Sequence, residues 1–145
     1  MNEHAMKLLV VDDERHFLET LVKRLGRRGF SVRGADSGER ALEEMSASPA
    51  DVVVLDVKMP GISGLETLQR IKADYPLTEV VMLTAHADME AAAEGMEFGA
   101  FDYLMKPMDI DELVYKIEDA WRRRSLRGLK IQQMRSRART SPDET

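Results

Sequence analysis

The chain has no cysteine, a single tryptophan, five prolines and nine glycines among its 145 residues. Without cysteine there is no disulfide framework, thiol nucleophile or thiolate metal site, and a reducing compartment is permitted though not demonstrated. Long apolar runs are missing too. The first, Met6–Val11, gives way at once to Asp12-Asp13-Glu14, which is no signal peptide, and no later run is long enough to cross a bilayer. The expectation is a cytoplasmic protein that does not engage a membrane. Internal repeats and low-complexity segments are absent before the C-terminal tail.

What is present fits one soluble domain with a sizeable core: 43% hydrophobic and 32% charged residues. The net charge of -5 hides an uneven distribution. Residues 1–121 hold 13 basic against 24 acidic side chains, while residues 122–139 hold 8 basic and no acidic ones. An acidic body and a basic tail need separate explanations.

Five short apolar runs alternate with helical patterns. Met6–Val11 predicts a first strand, and Phe17, Leu18, Leu21, Val22 and Leu25 recur at helical spacing before Gly29, a C-terminal stop. Phe30–Ala35 predicts a second strand; Ser37 is placed to cap a helix carrying Ala41, Leu42 and Met45. Asp51–Asp56 predicts a third strand, buried on both faces and ended by a carboxylate. Ser63 opens a helix with Leu65, Leu68 and Ile71, and Glu79–Thr84 predicts a fourth strand. Asp88 is expected to cap an Ala-rich helix, Met89–Phe98. Its Gly95 costs about 1 kcal/mol relative to Ala, so this helix is expected to be the most mobile. Phe101–Met105 predicts a fifth strand, and Ile110, Leu113, Val114, Ile117 and Trp121 mark a last helix. Alternation of this kind implies an α/β protein, a parallel sheet covered by helices on both faces.

Asp12-Asp13, Asp56, Thr84 and Lys106 fall at the carboxyl ends of predicted strands one, three, four and five. With strand order 2-1-3-4-5 they converge on the switch point where open α/β sheets bind ligands. Three clustered carboxylates repel one another unless a cation is supplied, and Mg2+ is the hard, oxygen-seeking candidate.

These residues carry a resemblance. V-D-D at Val11–Asp13, L-D-V-K-M-P-G at Leu55–Gly61, T-A at Thr84-Ala85 and G-A-F-D-Y-L-M-K-P at Gly99–Pro107 resemble the receiver domain of bacterial two-component response regulators. The resemblance covers about Met6 to Trp121. It implies a flavodoxin-like (βα)5 three-layer sandwich, Mg2+ as cofactor, and a sensor histidine kinase as partner, with the module itself not an enzyme. It assigns Asp56 as phosphoacceptor; Asp12, Asp13, Asp56 and the Lys58 carbonyl as metal ligands; Lys106 and Thr84 as phosphoryl contacts; and Tyr103 as the switch aromatic. The Lys106-Pro107 bond is similar to one that is cis in this family. The Ala-rich Thr84–Asp88 segment and the long last helix look most like receivers fused to AAA+ transcription activators.

Other residues carry weaker signals. Lys58 and His86 stand two positions after Asp56 and Thr84, where the family tunes phosphoryl lifetime; solvated loop residues are the alternative reading. His4 and His16 are expected at the surface, the ten methionines as core filler, and Tyr75 and Trp121 as packing residues. The receiver is expected over residues 1–121, with 122–145 a basic extension: a helical linker to an output domain, a weak electrostatic contact with nucleic acid or kinase, or a solvated, partly frayed tail. No DNA-reading unit fits in it, so direct DNA binding is not expected; a homodimer or an output domain is. An aspartyl phosphatase would need an acid where Lys58 stands. A flavin or nucleotide module would need a Gly- or Ser-rich loop where Asp12-Asp13-Glu14 stands. A scaffold that works without phosphorylation ranks low, since every matching residue is present.

Overall fold

Apolar residues on both faces of the three central strands force the sheet into the interior, and the computed structural model places it there. Residues 6–140 are described; His4, residues 141–145 and the side chain of Arg139 lie outside the described set. Five strands, β1 (Lys7–Val11), β2 (Ser31–Ala35), β3 (Val52–Asp56), β4 (Glu79–Thr84) and β5 (Asp102–Met105), form one sheet in the order β2-β1-β3-β4-β5. All neighbours are parallel. The flavodoxin-like expectation holds. Among the described residues, no helix is long and apolar enough to cross a membrane.

Five helices cover the sheet: α1 (Arg15–Arg27), α2 (Gly38–Ala47), α3 (Gly64–Asp74), α4 (Met89–Glu97) and α5 (Ile110–Thr140). Strand periodicity sorts the core into two layers. Leu9, Val11, Val53, Leu55, Val80 and Met82 face α2, α3 and α4 with Ala41, Met45, Leu68, Ile71 and Ala92. Leu8, Val10, Val52, Val54, Val81 and Leu83 face α1 and α5 with Leu18, Leu21, Leu25, Leu113 and Ile117. Consecutive residues of β1, β3 and β4 thus point into opposite layers, which is why these strands read as unbroken apolar runs.

Local signals explain several helix ends. The Ser37 hydroxyl accepts from Arg40 N at 3.0 Å and that of Ser63 from Glu66 N at 3.1 Å, each satisfying an otherwise orphaned donor. Gly29 takes φ +97 after α1, a conformation costly for any residue with a Cβ. Gly64 opens α3 against the sheet: a Cβ there would collide with the carbonyls of Asp56 and Val57.

Several expectations need correction. Asp88 stands at the N-cap of α4 but makes no side-chain cap. A 3-10 turn, His86–Asp88, precedes the helix, and the Asp88 carboxylate lies 3.8 Å from Lys58 Nζ instead. The methionines divide: Met6, Met45, Met59 and Met82 are core, whereas Met96, Met105 and Met134 are exposed. Tyr75 and Trp121 pack against the two core layers as expected, and His16 is exposed. The basic segment from Arg122 continues α5 to Thr140, the helical alternative among those expected.

Candidate functional site

Strand ends dictate the site. Once the apolar positions of β1 and β3 are buried, the residues following Val11 and Leu55 emerge together at the carboxyl edge, since Val11 and Leu55 are paired in register. Asp12, Asp13 and Asp56 consequently each bring a carboxylate oxygen within 4.8 Å of the others. Asp12 and Asp56 are buried and Asp13 is exposed.

Among the described residues, one cation is paired with this cluster. Lys106, directly after β5, sets Nζ 2.9 Å from Asp12 Oδ2 and 3.3 Å from Asp56 Oδ1. Its ammonium also lies 4.4 Å from the centre of the Phe17 ring, an attractive cation–π arrangement that the motifs do not reveal. The Lys106-Pro107 peptide is cis, as the resemblance implies. Asp12 is further fixed by Glu14 N, which donates to its Oδ1 at 2.9 Å.

The electrostatics follow from this crowding. Burial raises the Asp56 carboxyl, and the Asp12 charge raises it further; Lys106 opposes both, leaving a pKa of about 6 instead of 3.8. Burial alone pulls the Lys106 ammonium down. Its hydrogen bond to Asp12 and the Asp56 and Asp12 charges outweigh that, so it titrates above its ordinary value. An acid-rich notch with three hard oxygen donors and one ammonium is suited to a small divalent cation and a phosphoryl oxygen.

The remaining predicted residues surround the notch. Thr84 ends β4 and is buried; its hydroxyl bonds to Ala85 O at 3.1 Å and Asp88 O at 3.3 Å. Tyr103, on β5 next to Met82 of β4, is half-buried and packs against the first core layer. Lys58 and His86 are exposed.

Comparison with known proteins agrees with this geometry. The family model described as response regulator receiver domain matches residues 8–118. The DNA-binding transcriptional regulator NtrC of Escherichia coli K12 is 40% identical over 111 residues, covering 77% of this chain and 24% of that protein. The crystal structure of the receiver domain of NtrX from Brucella abortus superposes with a TM-score of 0.76 at 32% identity, over 79% of this chain and 98% of that one. A longer NtrX structure from the same organism gives 0.83 at 30% identity, over 92% of this chain and 30% of that one. The chain thus spans about a quarter of the length of the curated relatives it matches. The expectation that direct DNA binding is unlikely gains no support here, because the relative is itself named a DNA-binding regulator.

Proposed function

This chain belongs to the response regulator receiver domain family, and on that premise we propose that Asp56 accepts a phosphoryl group from the phosphohistidine of a sensor kinase in the cytoplasm. The observation that carries this reading is the meeting of Asp12, Asp13 and Asp56 within 4.8 Å, with Lys106 Nζ 3.3 Å from Asp56.

The donor set fits Mg2+, with Asp12, Asp13, Asp56 and the Lys58 carbonyl as the groups that would hold it. When bound, Mg2+ supplies positive charge to the phosphoryl oxygens. The chain's own residues do the rest. With a pKa of about 6, the Asp56 carboxylate is mostly ionised at neutral pH. One of its oxygens attacks phosphorus in line; the phosphorus–nitrogen bond breaks and the imidazole leaves. Lys106 already points its ammonium at this carboxylate and neutralises charge as it spreads over the phosphoryl group, so the catalysis is positioning and electrostatics. Water later attacks the acyl phosphate, returning inorganic phosphate and the free carboxylate.

A phosphoryl group adds close to two negative charges. Thr84 would give up its bonds to Ala85 O and Asp88 O and donate to a phosphoryl oxygen, which frees space for Tyr103 to move inward and biases α4 and β5. An output domain or protein would read that change. α4 is thinly anchored for such a role, with only Ala92 and Gly95 buried.

The test is covalent. Incubated with acetyl phosphate and Mg2+, the chain should gain the mass of one phosphoryl group, and Asp56→Asn should gain none. A variant that still labels would put the acceptor elsewhere.

A further inference from the structure

We propose that Glu79, at the amino-terminal end of β4, anchors the extension of α5 and makes residues 122–140 a rigid lever fixed to the sheet. Neither the phosphoacceptor reading nor the family model, which stops at residue 118, gives this residue or this segment a task.

Glu79 is a carboxylate in an unfavourable place. Its side chain is 1% exposed, and a buried charge persists only when paired. Its partners come mainly from beyond Trp121. Arg127 donates an N–H to Oε2 at 3.0 Å, and Arg123 Nε lies 3.3 Å from the same oxygen. Among the described residues the body supplies only Lys72, whose Nζ sits 3.7 Å from Oε1 and bonds instead to Pro76 O at 3.0 Å and Thr78 O at 2.8 Å. Oε1 therefore has no hydrogen-bond partner among the described residues. Burial pulls the Lys72 ammonium below its ordinary value, against the Glu79 charge that raises it; its placement, not its charge, leaves Oε1 without a hydrogen bond.

Two further contacts act on the same stretch. Arg124 Nε lies 3.1 Å from Asp51 Oδ1, and Asp51 also accepts from the Lys7 backbone N–H at 2.9 Å. The Arg123 guanidinium lies 5.6 Å from the centre of the Phe101 ring. Arg123, Arg124 and Arg127 thus grip the starts of β3 and β4 and the residue preceding β5, across more than one helical turn. Arginine suits the task, since its planar fork stays charged and loses little freedom per bond formed. A groove lined by Asp51, Pro76, Leu77, Trp121, Arg124 and Gly128 runs beside the grip. The folded unit accordingly reaches Arg127, and α5 leaves the body in a fixed direction.

Because the chain has no cysteine, two introduced cysteines label cleanly. Spin labels at Ser46→Cys on α2 and Gln133→Cys on the extension, both exposed positions, should give one narrow distance distribution in the full chain. Glu79→Gln should broaden it and raise amide exchange over residues 122–140 at least tenfold, while acyl-phosphate formation stays within twofold. Arg123→Gln combined with Arg127→Gln should reproduce the broadening from the helix side, where no core residue is disturbed. A Glu79→Gln protein that melts lower but keeps the narrow distribution and slow exchange would show Glu79 to be a core residue only, and overturns the proposal. So does a broad distribution in the parent chain.

Discussion

The two ends of the sheet treat buried carboxylates in opposite ways. At the carboxyl end the buried Asp12 and Asp56, with the exposed Asp13 beside them, are paired with one cation among the described residues, Lys106. At the amino end one carboxylate, Glu79, is faced by Lys72, Arg123 and Arg127. The central strands β3 and β4 serve both: Asp51 and Glu79 stand at their starts, Asp56 and Thr84 at their ends, and only apolar residues lie between. One end keeps an excess of negative charge, which repels itself unless a cation is supplied. The other carries enough positive charge to hold its acid closed. On the two proposals above, unbalanced charge marks the end that binds and matched charge the end that fastens.

The sharpest break in this comparison removes the cation at the binding end. Lys106→Ala should slow acyl-phosphate formation from acetyl phosphate by about 10²–10³-fold, the typical loss when one donor to developing transition-state charge is deleted. Arg127→Ala, which removes a cation from the opposite end, should leave the rate within twofold. Equal losses in the two variants, measured by phosphate release or intact mass, would mean the ends do not act independently.

A second prediction concerns the sign of a carboxylate's contribution to stability. The folded pKa of Asp56, about 6, lies above its ordinary 3.8. Between those values the folded protein binds more protons than the unfolded chain, so stability falls as pH rises through that window. By pH 7 the loss is about 2–3 kcal/mol, since a tenfold difference in proton affinity between the two states is worth about 1.4 kcal/mol. Asp56→Asn carries no charge to repel and should be more stable than the parent by about that amount at pH 7 in the presence of a chelator. The advantage should shrink through pH 6 and vanish below about pH 4. Denaturant melts across this range decide it; an advantage that ignores pH would show that Asp12 and burial do not strain Asp56.

Much of this is legible in the sequence alone, and the reason is physical. β1, β3 and β4 announce themselves because both faces are buried, and the site follows because polar residues must cluster where those runs stop. Strand order then brings Asp12, Asp13, Asp56 and Lys106 together. The opposite end is hidden. Glu79 heads an apolar run and reads as a strand boundary, while its partners Arg123 and Arg127 lie more than forty positions away in a segment whose composition also fits a solvated tail. Periodicity reports on one element at a time and is silent on ion pairs between distant ones. A usable clue does exist in R-R-R-x-x-R from Arg122 to Arg127, whose second and last members share a helix face, alongside one acidic residue fused to a fully apolar strand. The Asp88 cap is misjudged from sequence for a related reason. Cap propensity is a local preference, and a 3-10 turn with Lys58 nearby offers that carboxylate another arrangement.

The smallest expected effect on folding tests how far the binding end depends on its ion pairs. The Lys58 side chain is 80% exposed and its Nζ lies 3.8 Å from Asp88 Oδ1. An ion pair of that length and exposure contributes at most a few tenths of a kcal/mol, so Lys58→Ala should leave the denaturation midpoint nearly unchanged, within about 0.5 kcal/mol. Removing Arg123 and Arg127 together strips the buried Glu79 carboxylate of both arginines and should cost clearly more than that, and that gap is the comparison at its plainest. Lys58 nevertheless stands two residues from Asp56 and is exposed, placed to meet water that would hydrolyse the proposed acyl phosphate. Its removal should therefore alter the phosphoryl lifetime by more than twofold while folding stays untouched. Pulse-labelled protein followed in the presence of Mg2+ reads this directly. An unchanged lifetime reduces Lys58 to its backbone carbonyl; a changed one shows that the acid-rich end is tuned by a side chain the fold does not need.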